Sequence, residues 1–486
     1  MKSWSQRLLL ALGLFAAGSA GLRAARSLRD WTTVYDHVSG SWTTLAVDLA
    51  HGVLYRPLAS ELGFGGTRYF PLHVVVQGAL IKGGMSAIFA GYAIVFAALL
   101  LFFGGAFRLL RRLGASPAWA MAGAGLAFAN YPVQLAATRI AGDLLPASLA
   151  LWALSLLAAP EGERRSHRDV AFAGALFGLS FLGKQTMVFG LIASLLWFAL
   201  QRGTRRALLL VGAFAVFAAA GLVATQAASD GRFSSSLAAC LSGGASWWSV
   251  RSAPRMLLLF FPAGDLALLE LAAAAWCTLP AARRELLGLL LPVTAALTAT
   301  LFTSPGVVEN HLLDLDAIAA LFLVLQLERG RLPPSFAPAA TAAAALAALL
   351  SLQRPDSFTW PQREVALATL REAGTEEGPL LSENPWVPLL AGEAPVVLDP
   401  FSLRLLALRD PSVEKTVMEL LERRAFRAVI LKRADNFAAP WGDWYGDVHF
   451  WPGFLEKVSQ GYELTATHHV DHLGFGWFVF RRRPQR

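Results

Sequence analysis

Long apolar runs recur along the chain and limit the folds open to it more than any other feature. The first run covers residues 8–20, and the others cover 87–107, 117–133, 144–159, 170–182, 187–200, 207–225, 261–279, 286–303, 312–327 and 336–352. A helix needs about 20 apolar residues to cross the hydrocarbon core of a bilayer, so the pattern predicts a polytopic helical membrane protein with about eleven spans. Only 16% of the residues are charged, and the mean hydropathy is +0.48. Soluble domains carry about 25% charged residues, so the composition agrees.

Basic residues lie in short clusters between the apolar runs. The clusters are Arg108, Arg111 and Arg112; Arg164, Arg165 and Arg168; Arg202, Arg205 and Arg206; Arg283 and Arg284; and Arg329 and Arg331. Each cluster falls in an alternate loop, which is the positive-inside pattern of cytoplasmic loops. The formal net charge of +8 is therefore interpreted as a signal of membrane topology. Nucleic acid is not an expected partner.

The N-terminus sets the predicted orientation. Lys2 and Arg7 precede the run 8–20, which resembles either a signal peptide or a first transmembrane helix. Because many spans follow, an uncleaved anchor is favoured, and the chain then emerges outside. The Ala- and Arg-rich composition with few lysines favours a GC-rich bacterial source. We therefore expect a multi-pass protein of the bacterial inner (plasma) membrane, with its remaining loops on the periplasmic side.

The chain divides into a predicted membrane region, residues 1–352, and a predicted soluble region, residues 353–486. Two long outer loops interrupt the membrane region, at 23–86 and 226–255, and the segment 69–81 is predicted to be a helix along the interface. The soluble region is predicted to form a small extracytoplasmic α/β domain. Helices are expected at 369–373 and 412–424, and strands at "APVVLDP" (394–400), "FRAVILKR" (426–433) and "FGWFVFRR" (475–482).

Ionisable residues gather at the predicted outer ends of several spans. Asp36 opens the first loop, just ahead of a predicted helix at 42–51, and a helix-capping role is an alternative for it. Asp48, within that helix, is interpreted as capping or solvated. Arg139 and Asp143 begin one span, and Lys184 lies in a turn between two others. A carboxylate can take a proton from an acceptor hydroxyl, while Lys or Arg neutralises a phosphate leaving group. The pattern therefore predicts transfer of a group from a lipid phosphate.

The motifs and their order resemble the GT-C glycosyltransferases. "YDHVSGSWTTLAVDLAHGVLYRP" is similar to the first outer loop of that family, with Asp36 as its Asp and His37 where Glu is expected. "TRIAGDLLPASLALWAL" is similar to the second acidic motif, with Asp143 as its carboxylate, and "LSFLGKQTMVFG" to the segment with an outer Lys, here Lys184. "ENHLLDLDAIAALFLV" resembles the late Asn-Tyr motif, with His311 in place of Tyr. The resemblance covers residues 8–327 by order and topology.

The resemblance implies an enzyme like the protein O-mannosyltransferases of glycosyltransferase family 39 and the lipid A aminoarabinose transferase. It would move a sugar from a polyprenyl-phosphate donor to a hydroxyl of a lipid, glycan or protein, with inversion at the anomeric carbon. Asp36 would be the general base or position the acceptor, and Asp143 would help to hold acceptor or donor. The implied substrate-binding residues are His37, Tyr55, Arg56, Arg68, Arg139, Lys184, Arg255, Asn310 and His311.

Within this set, Lys184 and Arg139 would meet the donor phosphate, with Arg255 in the second outer loop. Tyr55, Arg56 and Arg68 would stack on the sugar or hydrogen-bond to it. For each arginine taken singly, anchoring at the membrane interface is the favoured alternative.

A proton-coupled or lipid-linked-substrate transporter is the main alternative, with Asp314 and Asp316 as its deeper acids. Carriers commonly show internal repeats and ionisable groups near mid-membrane, whereas most charges here lie at the outer ends. A membrane scaffold is a third alternative. No metal site is predicted, because no His, Cys or carboxylate cluster has a ligand-type spacing. Dependence on a divalent metal, the sugar, the acceptor and the lipid carrier are left open.

Overall fold

The computed structural model describes residues 2–31, 36–60, 63–158, 165–240, 247–260, 263–304, 307–353, 362–433, 444–469 and 476–484. The chain folds mostly as α-helices, with a small sheet near its C-terminus, as predicted. The helices are α1 (Lys2–Asp30), α2 (His37–Ala50), α3 (Pro71–Lys82), α4 (Ala87–Arg112), α5 (Pro117–Leu126), α6 (Tyr131–Ala136), α7 (Leu144–Leu157), α8 (His167–Gly183), α9 (Phe189–Leu200), α10 (Thr204–Ala228), α11 (Arg232–Cys240), α12 (Trp247–Phe260), α13 (Ala263–Thr278), α14 (Leu286–Leu301), α15 (Leu313–Glu328), α16 (Phe336–Gln353), α17 (Gln362–Ala373), α18 (Trp386–Leu390), α19 (Pro400–Arg409), α20 (Pro411–Glu422) and α21 (Phe454–Gly461). The strands are β1 (Ala59–Ser60), β2 (Gly63–Phe64), β3 (Leu380–Ser382), β4 (Ala428–Arg433), β5 (Tyr462–His469) and β6 (Gly476–Arg482).

Several helices have the length and composition of membrane spans. Within the described residues, the helices long and apolar enough to cross a bilayer are Trp4–Asp30, Ala87–Arg112, Thr204–Ala228 and Glu309–Glu328. Shorter apolar helices are Leu144–Leu157, Phe189–Leu200, Leu286–Leu301 and Phe336–Leu350. On α10, the side chains of Leu208, Val216 and Val223 are 67%, 65% and 68% exposed. Apolar residues so exposed suit contact with lipid.

The predicted single span at 117–133 is wrong, because the chain breaks between α5 and α6. Asn130 caps α6 by accepting a hydrogen bond from the backbone N of Val133 at 3.0 Å. Gln134 donates to the carbonyl oxygens of Phe128 at 2.6 Å and Ala16 at 2.9 Å. These side chains satisfy backbone groups that an uninterrupted helix would have paired. The predicted helix at 42–51 also begins earlier, at His37.

Three of the loops that carry arginine clusters meet at one end of the bundle. Arg329 and Arg331 each form an ion pair with Glu285 at 2.5 Å. Arg329 also donates to the carbonyl oxygen of Leu113, 2.9 Å away, in the loop after α4. The loops that follow α4 and α15 and the one that precedes α14 therefore share one end of the helices.

The C-terminal sheet has the strand order β3-β4-β6-β5, with β3 parallel to β4 and the other pairs antiparallel. The strands predicted at 426–433 and 475–482 are confirmed as β4 and β6. The strand predicted at 394–400 is wrong: only Val397 pairs, in an isolated bridge with Phe64. Asp399 instead caps α19, accepting from the backbone N of Phe401 at 3.1 Å and the hydroxyl of Ser402 at 2.7 Å. With proline at its first position, α19 starts where the strand would have continued.

The C-terminal region packs directly on α2. The Ser41 hydroxyl donates to the carbonyl oxygen of Leu398 at 2.8 Å. A Cβ added at Gly40 would lie 3.0 Å from the Asn384 side chain and 3.1 Å from Trp386. Glycine at this position therefore lets α18 approach α2 closely. The start of α2, with Asp36 as its cap, lies where the helical bundle meets the C-terminal region.

Candidate active site

A cavity of about 230 Å³ lies between α2, the segment 68–70, the start of α7, the turn after α8 and the segment before α15. Its lining includes five of the residues predicted from the sequence, namely Arg68, Asp143, Lys184, Asn310 and His311. They come from four separate parts of the chain, so the predicted convergence on one site is present for these residues. The other lining residues are Val38, Trp42, Tyr69, Phe70, Gly142, Gly183, Gln185, Thr186, Cys240, Leu301, Ser304, Val307 and Val308.

Asp143 and Lys184 form the ionic centre of the cavity. The Lys184 Nζ lies 2.6 Å from Asp143 Oδ1, and Asn310 Nδ2 donates to the same oxygen at 3.0 Å. Asp143 occupies the cap position of α7, yet its carboxylate makes no capping hydrogen bond. Lys184 follows the last residue of α8 in an extended conformation, which turns it out of the helix. An ammonium has three donors, and Asp143 takes only one of those that Lys184 carries.

Asp36 lies beside the cavity and caps α2, so the capping role is confirmed. Its Oδ2 accepts from the backbone N of Ser39 at 3.0 Å and from the Ser39 hydroxyl at 2.6 Å. No described residue donates a hydrogen bond to its Oδ1. Burial opposes ionisation, but Arg139, His37 and the Ser39 hydrogen bonds outweigh it and lower the pKa of Asp36. The carboxylate is therefore ionised at neutral pH.

Arg139 lies between the carboxylates of Asp36 and Glu309. Its guanidinium lies 3.9 Å from Asp36 Oδ2 and 3.9 Å from Glu309 Oε1, with its side chain 32% exposed. Glu309 directly precedes Asn310, which holds Asp143. The Asp36–Arg139 pair and the Asp143–Lys184 pair are thus joined through one short segment. Arg139 keeps enough exposure to meet a ligand anion.

Aromatic side chains form one wall of the cavity. The rings of Trp42 and Tyr69 stack with their centroids 4.4 Å apart and 16° between their planes. A Cβ at Gly142 would lie 2.5 Å from the Trp42 ring, so glycine lets the indole pack beside Asp143. Flat apolar faces of this kind suit contact with a sugar ring. Sequence reasoning missed Trp42, and it missed Gln185 and Thr186 although they directly follow Lys184. Cys240 carried no signal that would have placed it here.

Tyr55 and Arg56 do not line this cavity. Arg56 is 1% exposed and binds Asp48 through two hydrogen bonds, of 2.5 and 2.8 Å, while donating to the carbonyl oxygen of Pro395 at 2.5 Å. The prediction that Asp48 is solvated or a cap is therefore wrong. The Tyr55 hydroxyl donates to the carbonyl oxygen of Tyr69 at 2.9 Å. Both residues brace the first loop from inside.

Arg255 and His37 also lie outside the cavity, and neither Arg139 nor Asp36 is part of its lining. Arg255 is exposed on α12 and is not among the described residues that line the cavity. His37 faces the C-terminal region, where its ring centroid is 4.8 Å from that of His449. Within the described residues, no three His, Cys, Asp or Glu side chains are grouped so that they could hold a metal ion.

Comparison with known proteins connects this arrangement to a fold. No protein-family model and no curated protein sequence matches the chain. Among solved structures, ArnT from Cupriavidus metallidurans bound to undecaprenyl phosphate is similar at a TM-score of 0.58 and 13% identity, over 94% of this chain and 97% of that one. ArnT in the apo state is similar at 0.57 and 15% identity, over 96% and 98%.

An archaeal protein shares the fold as well. AglB, the oligosaccharyltransferase of Archaeoglobus fulgidus, solved with an inhibitory peptide and a dolichol-phosphate, is similar at a TM-score of 0.52 and 13% identity, over 96% of this chain and 74% of that one. The fold that the sequence resemblance implied, that of the GT-C membrane glycosyltransferases, is thereby confirmed.

Proposed function

We propose that the protein is an integral-membrane glycosyltransferase that transfers a sugar from a polyprenyl-phosphate donor to a hydroxyl group. The observation that carries the proposal is Lys184, whose side chain is 14% exposed and held by Asp143 and Asn310 in a cavity beside the ionised Asp36. This arrangement combines a fixed cation in the cavity with a separate carboxylate beside it, as transfer from a phosphate requires. The shared fold adds support, because ArnT and AglB were solved with undecaprenyl phosphate and a dolichol-phosphate.

Lys184 is proposed to bind the donor phosphate. Its ammonium is already oriented by Asp143, 2.6 Å away, so it has little reorganisation to undergo when a phosphate oxygen arrives. Arg68 also lines the cavity, and its guanidinium stacks on the Phe401 ring with the carbon 4.8 Å from the ring centroid. Asp143 then acts as the positioning residue for Lys184, which is a narrower role than direct contact with acceptor or donor.

Asp36 is proposed to act on the acceptor. Its Oδ1 takes the proton of the acceptor hydroxyl as that oxygen attacks the anomeric carbon of the sugar. The bond from the anomeric carbon to the phosphate oxygen breaks, and its electron pair leaves with the polyprenyl phosphate. Lys184 stabilises the negative charge that develops there. A single displacement from the face opposite the phosphate inverts the anomeric configuration.

The site is proposed to face the periplasm of a bacterial inner membrane. The arginine clusters mark the cytoplasmic loops by the positive-inside rule. Lys184 and the segment 307–311 lie at the opposite ends of the helices that those loops join. The C-terminal region, proposed as a separate domain of residues 353–486, packs against α2 at the same end. The acceptor is a lipid, glycan or protein hydroxyl that reaches this face.

The alternative of a carrier draws on two buried carboxylates, Asp265 and Asp316, which are 1% and 4% exposed. They lie on the neighbouring helices α13 and α15, as the acids of a proton path would. Neither of them lines the cavity that holds Lys184. The cavity groups therefore remain unexplained by transport, and transfer is the better-supported function.

A ligand-stabilisation experiment tests the phosphate site. Undecaprenyl phosphate at about 100 times its dissociation constant should stabilise the folded protein by about 2.7 kcal/mol, seen as a higher midpoint of thermal unfolding. Undecaprenol, which has the same chain without the phosphate, should give a much smaller rise because Lys184 gains no anion. Equal rises with both lipids would show that the chain alone is bound and would contradict the proposed phosphate site.

A further inference from the structure

A second pair of buried ionisable side chains lies where the C-terminal region meets the first loop. Glu383 and His449 are 1% and 2% exposed. The Nδ1 of His449 is 2.6 Å from Glu383 Oε1. Neither residue lines the cavity that holds Lys184. The pair is thus distinct from the donor site and is shielded from solvent.

Glu383 is a rigidly held carboxylate. Besides His449, its Oε1 accepts from the indole Nε1 of Trp444 at 2.7 Å, and its Oε2 accepts from the backbone N of Lys432 at 2.6 Å. Burial opposes ionisation, but His449 and the other donors outweigh it and lower the pKa of Glu383. An ionised carboxylate accepts only, so His449 carries a proton on Nδ1. That bond fixes the orientation of the imidazole.

The oriented ring of His449 packs against His37. The two centroids are 4.8 Å apart with 70° between the ring planes, and the Trp444 ring lies 4.3 Å from that of His449. Burial, followed by the proximity of His449, lowers the pKa of His37 to about 4. His37 is therefore neutral at physiological pH.

Four charged groups act on this pair of histidines. Asp36 and Asp399 raise the pKa of His37, and Lys432 lowers it. Glu383 is hydrogen-bonded to His449. His37 is the first residue of α2 and directly follows Asp36.

We infer that Glu383 and His449 are a positioning pair for the reacting carboxylate. They hold the ring of His37, and with it the first turn of α2, so that Asp36 presents its Oδ1 to the acceptor. The inference rests on the proposed function, and it makes the C-terminal region a part of the catalytic apparatus. Neither Glu383 nor His449 contacts the reacting atoms in this account. A displacement of 1 Å in such a group can lower a rate by about 10²-fold.

Two substitutions at His449 separate the ring from the hydrogen bond. His449→Phe keeps a ring against His37 but removes the donor to Glu383, whereas His449→Asn keeps a donor near the Nδ1 position but removes the ring. Each should lower kcat by about 10- to 100-fold, because each releases the orientation of His37. The KM for the donor should stay unchanged, since the Lys184 site is untouched.

The matched control is His51→Gln. His51 is an exposed histidine at the other end of α2, with its Nδ1 2.8 Å from the carbonyl oxygen of Val47. This variant should transfer sugar as the wild type does. In a double-mutant cycle, His37→Gln and His449→Phe should be non-additive in kcat, whereas His51→Gln and His449→Phe should be additive. Additive effects of the first pair would overturn the inference.

A titration gives a readout that does not need activity. In protein with isotope-labelled histidine, NMR should show the titration midpoint of His37 rising above about 4 in His449→Phe, since that variant removes a neighbour that lowers it. An unmoved midpoint would overturn the inference. If wild type transfers sugar and both His449 variants match it, the inference fails while the proposed function stands. If wild type transfers nothing from any donor, the proposed function fails. The His37 titration alone then tests whether His449 acts on His37.

Discussion

Asp36→Asn is expected to lower kcat by about 10² to 10⁴-fold, the range in which a general base contributes. The asparagine amide cannot take the proton of the attacking hydroxyl. The shape of the side chain and its distance from Arg139 are kept. Asparagine caps helices as well as aspartate does, so α2 and the thermal unfolding midpoint should be preserved. Sugar transfer at saturating donor and acceptor measures the effect. Since the pKa of Asp36 is lowered, wild-type activity should persist to a more acidic pH than a carboxylate of ordinary pKa would allow.

The matched control is Asp410→Asn. Asp410 is also an N-terminal cap, for α20, and accepts from the backbone N of Ser412 at 3.0 Å. It is exposed and does not line the cavity, so the substitution should leave kcat unchanged. Wild-type transfer by a folded Asp36→Asn protein would remove Asp36 from the mechanism. An equal loss in both variants would assign the effect to capping.

Lys184→Met is expected to lower kcat/KM by about 10² to 10³-fold, as the loss of one preorganised group that stabilises developing charge commonly does. The phosphate then leaves without its fixed cation. The substitution also strands the buried Asp143 carboxylate, and breaking such a pair costs about 3–5 kcal/mol. The double variant Asp143→Asn, Lys184→Met removes both charges. It should regain the thermal stability of wild type without regaining activity.

Lys82→Met is the control for this experiment. Lys82 is exposed in the last turn of α3 and does not line the cavity. Its replacement should leave both kcat/KM and stability unchanged. Recovery of activity in the stable double variant would show that Lys184 serves folding alone, and the phosphate-binding role would then be abandoned.

The helical bundle and part of its site were predictable because they depend on local patterns in the sequence. Apolar runs of span length specify the membrane helices, and their period needs no knowledge of tertiary contacts. Asp143, Lys184 and Asn310 were singled out because each is an ionisable or amide residue at the end of an apolar run. Their placement at a common end of the helices was enough to predict that they meet.

Other features depend on packing between distant segments, which the sequence does not display. The sequence of an arginine beside a tyrosine near the interface does not indicate whether the arginine side chain faces a ligand or the protein interior. The 1% exposure of Arg56 and its contacts with Asp48 and Pro395 show that it is internal. The segment 394–400 has the apolar character of a strand. Asp399 caps α19 instead, so the chain turns into a helix at Pro400. The break at Asn130 likewise follows from hydrogen bonds that Gln134 makes across the bundle.

The Glu383–His449 pair is the feature that the sequence indicates least. The two residues are 66 positions apart and form no motif with each other or with His37. Their meeting requires β3 and β4 to align and the segment 444–449 to fold back over them. Burial of a Glu and a His together is evident only after that packing is known.

The most direct test of the central claim is a transfer assay with purified wild-type protein in lipid. Labelled sugars on a panel of polyprenyl phosphates would be supplied with lipid, glycan and peptide hydroxyl acceptors. Labelled acceptor and free polyprenyl phosphate should form in equal amounts, with the anomeric configuration of the sugar inverted. Movement of the intact lipid-linked sugar across the membrane, with no bond broken for any donor and acceptor, would contradict the proposed transfer.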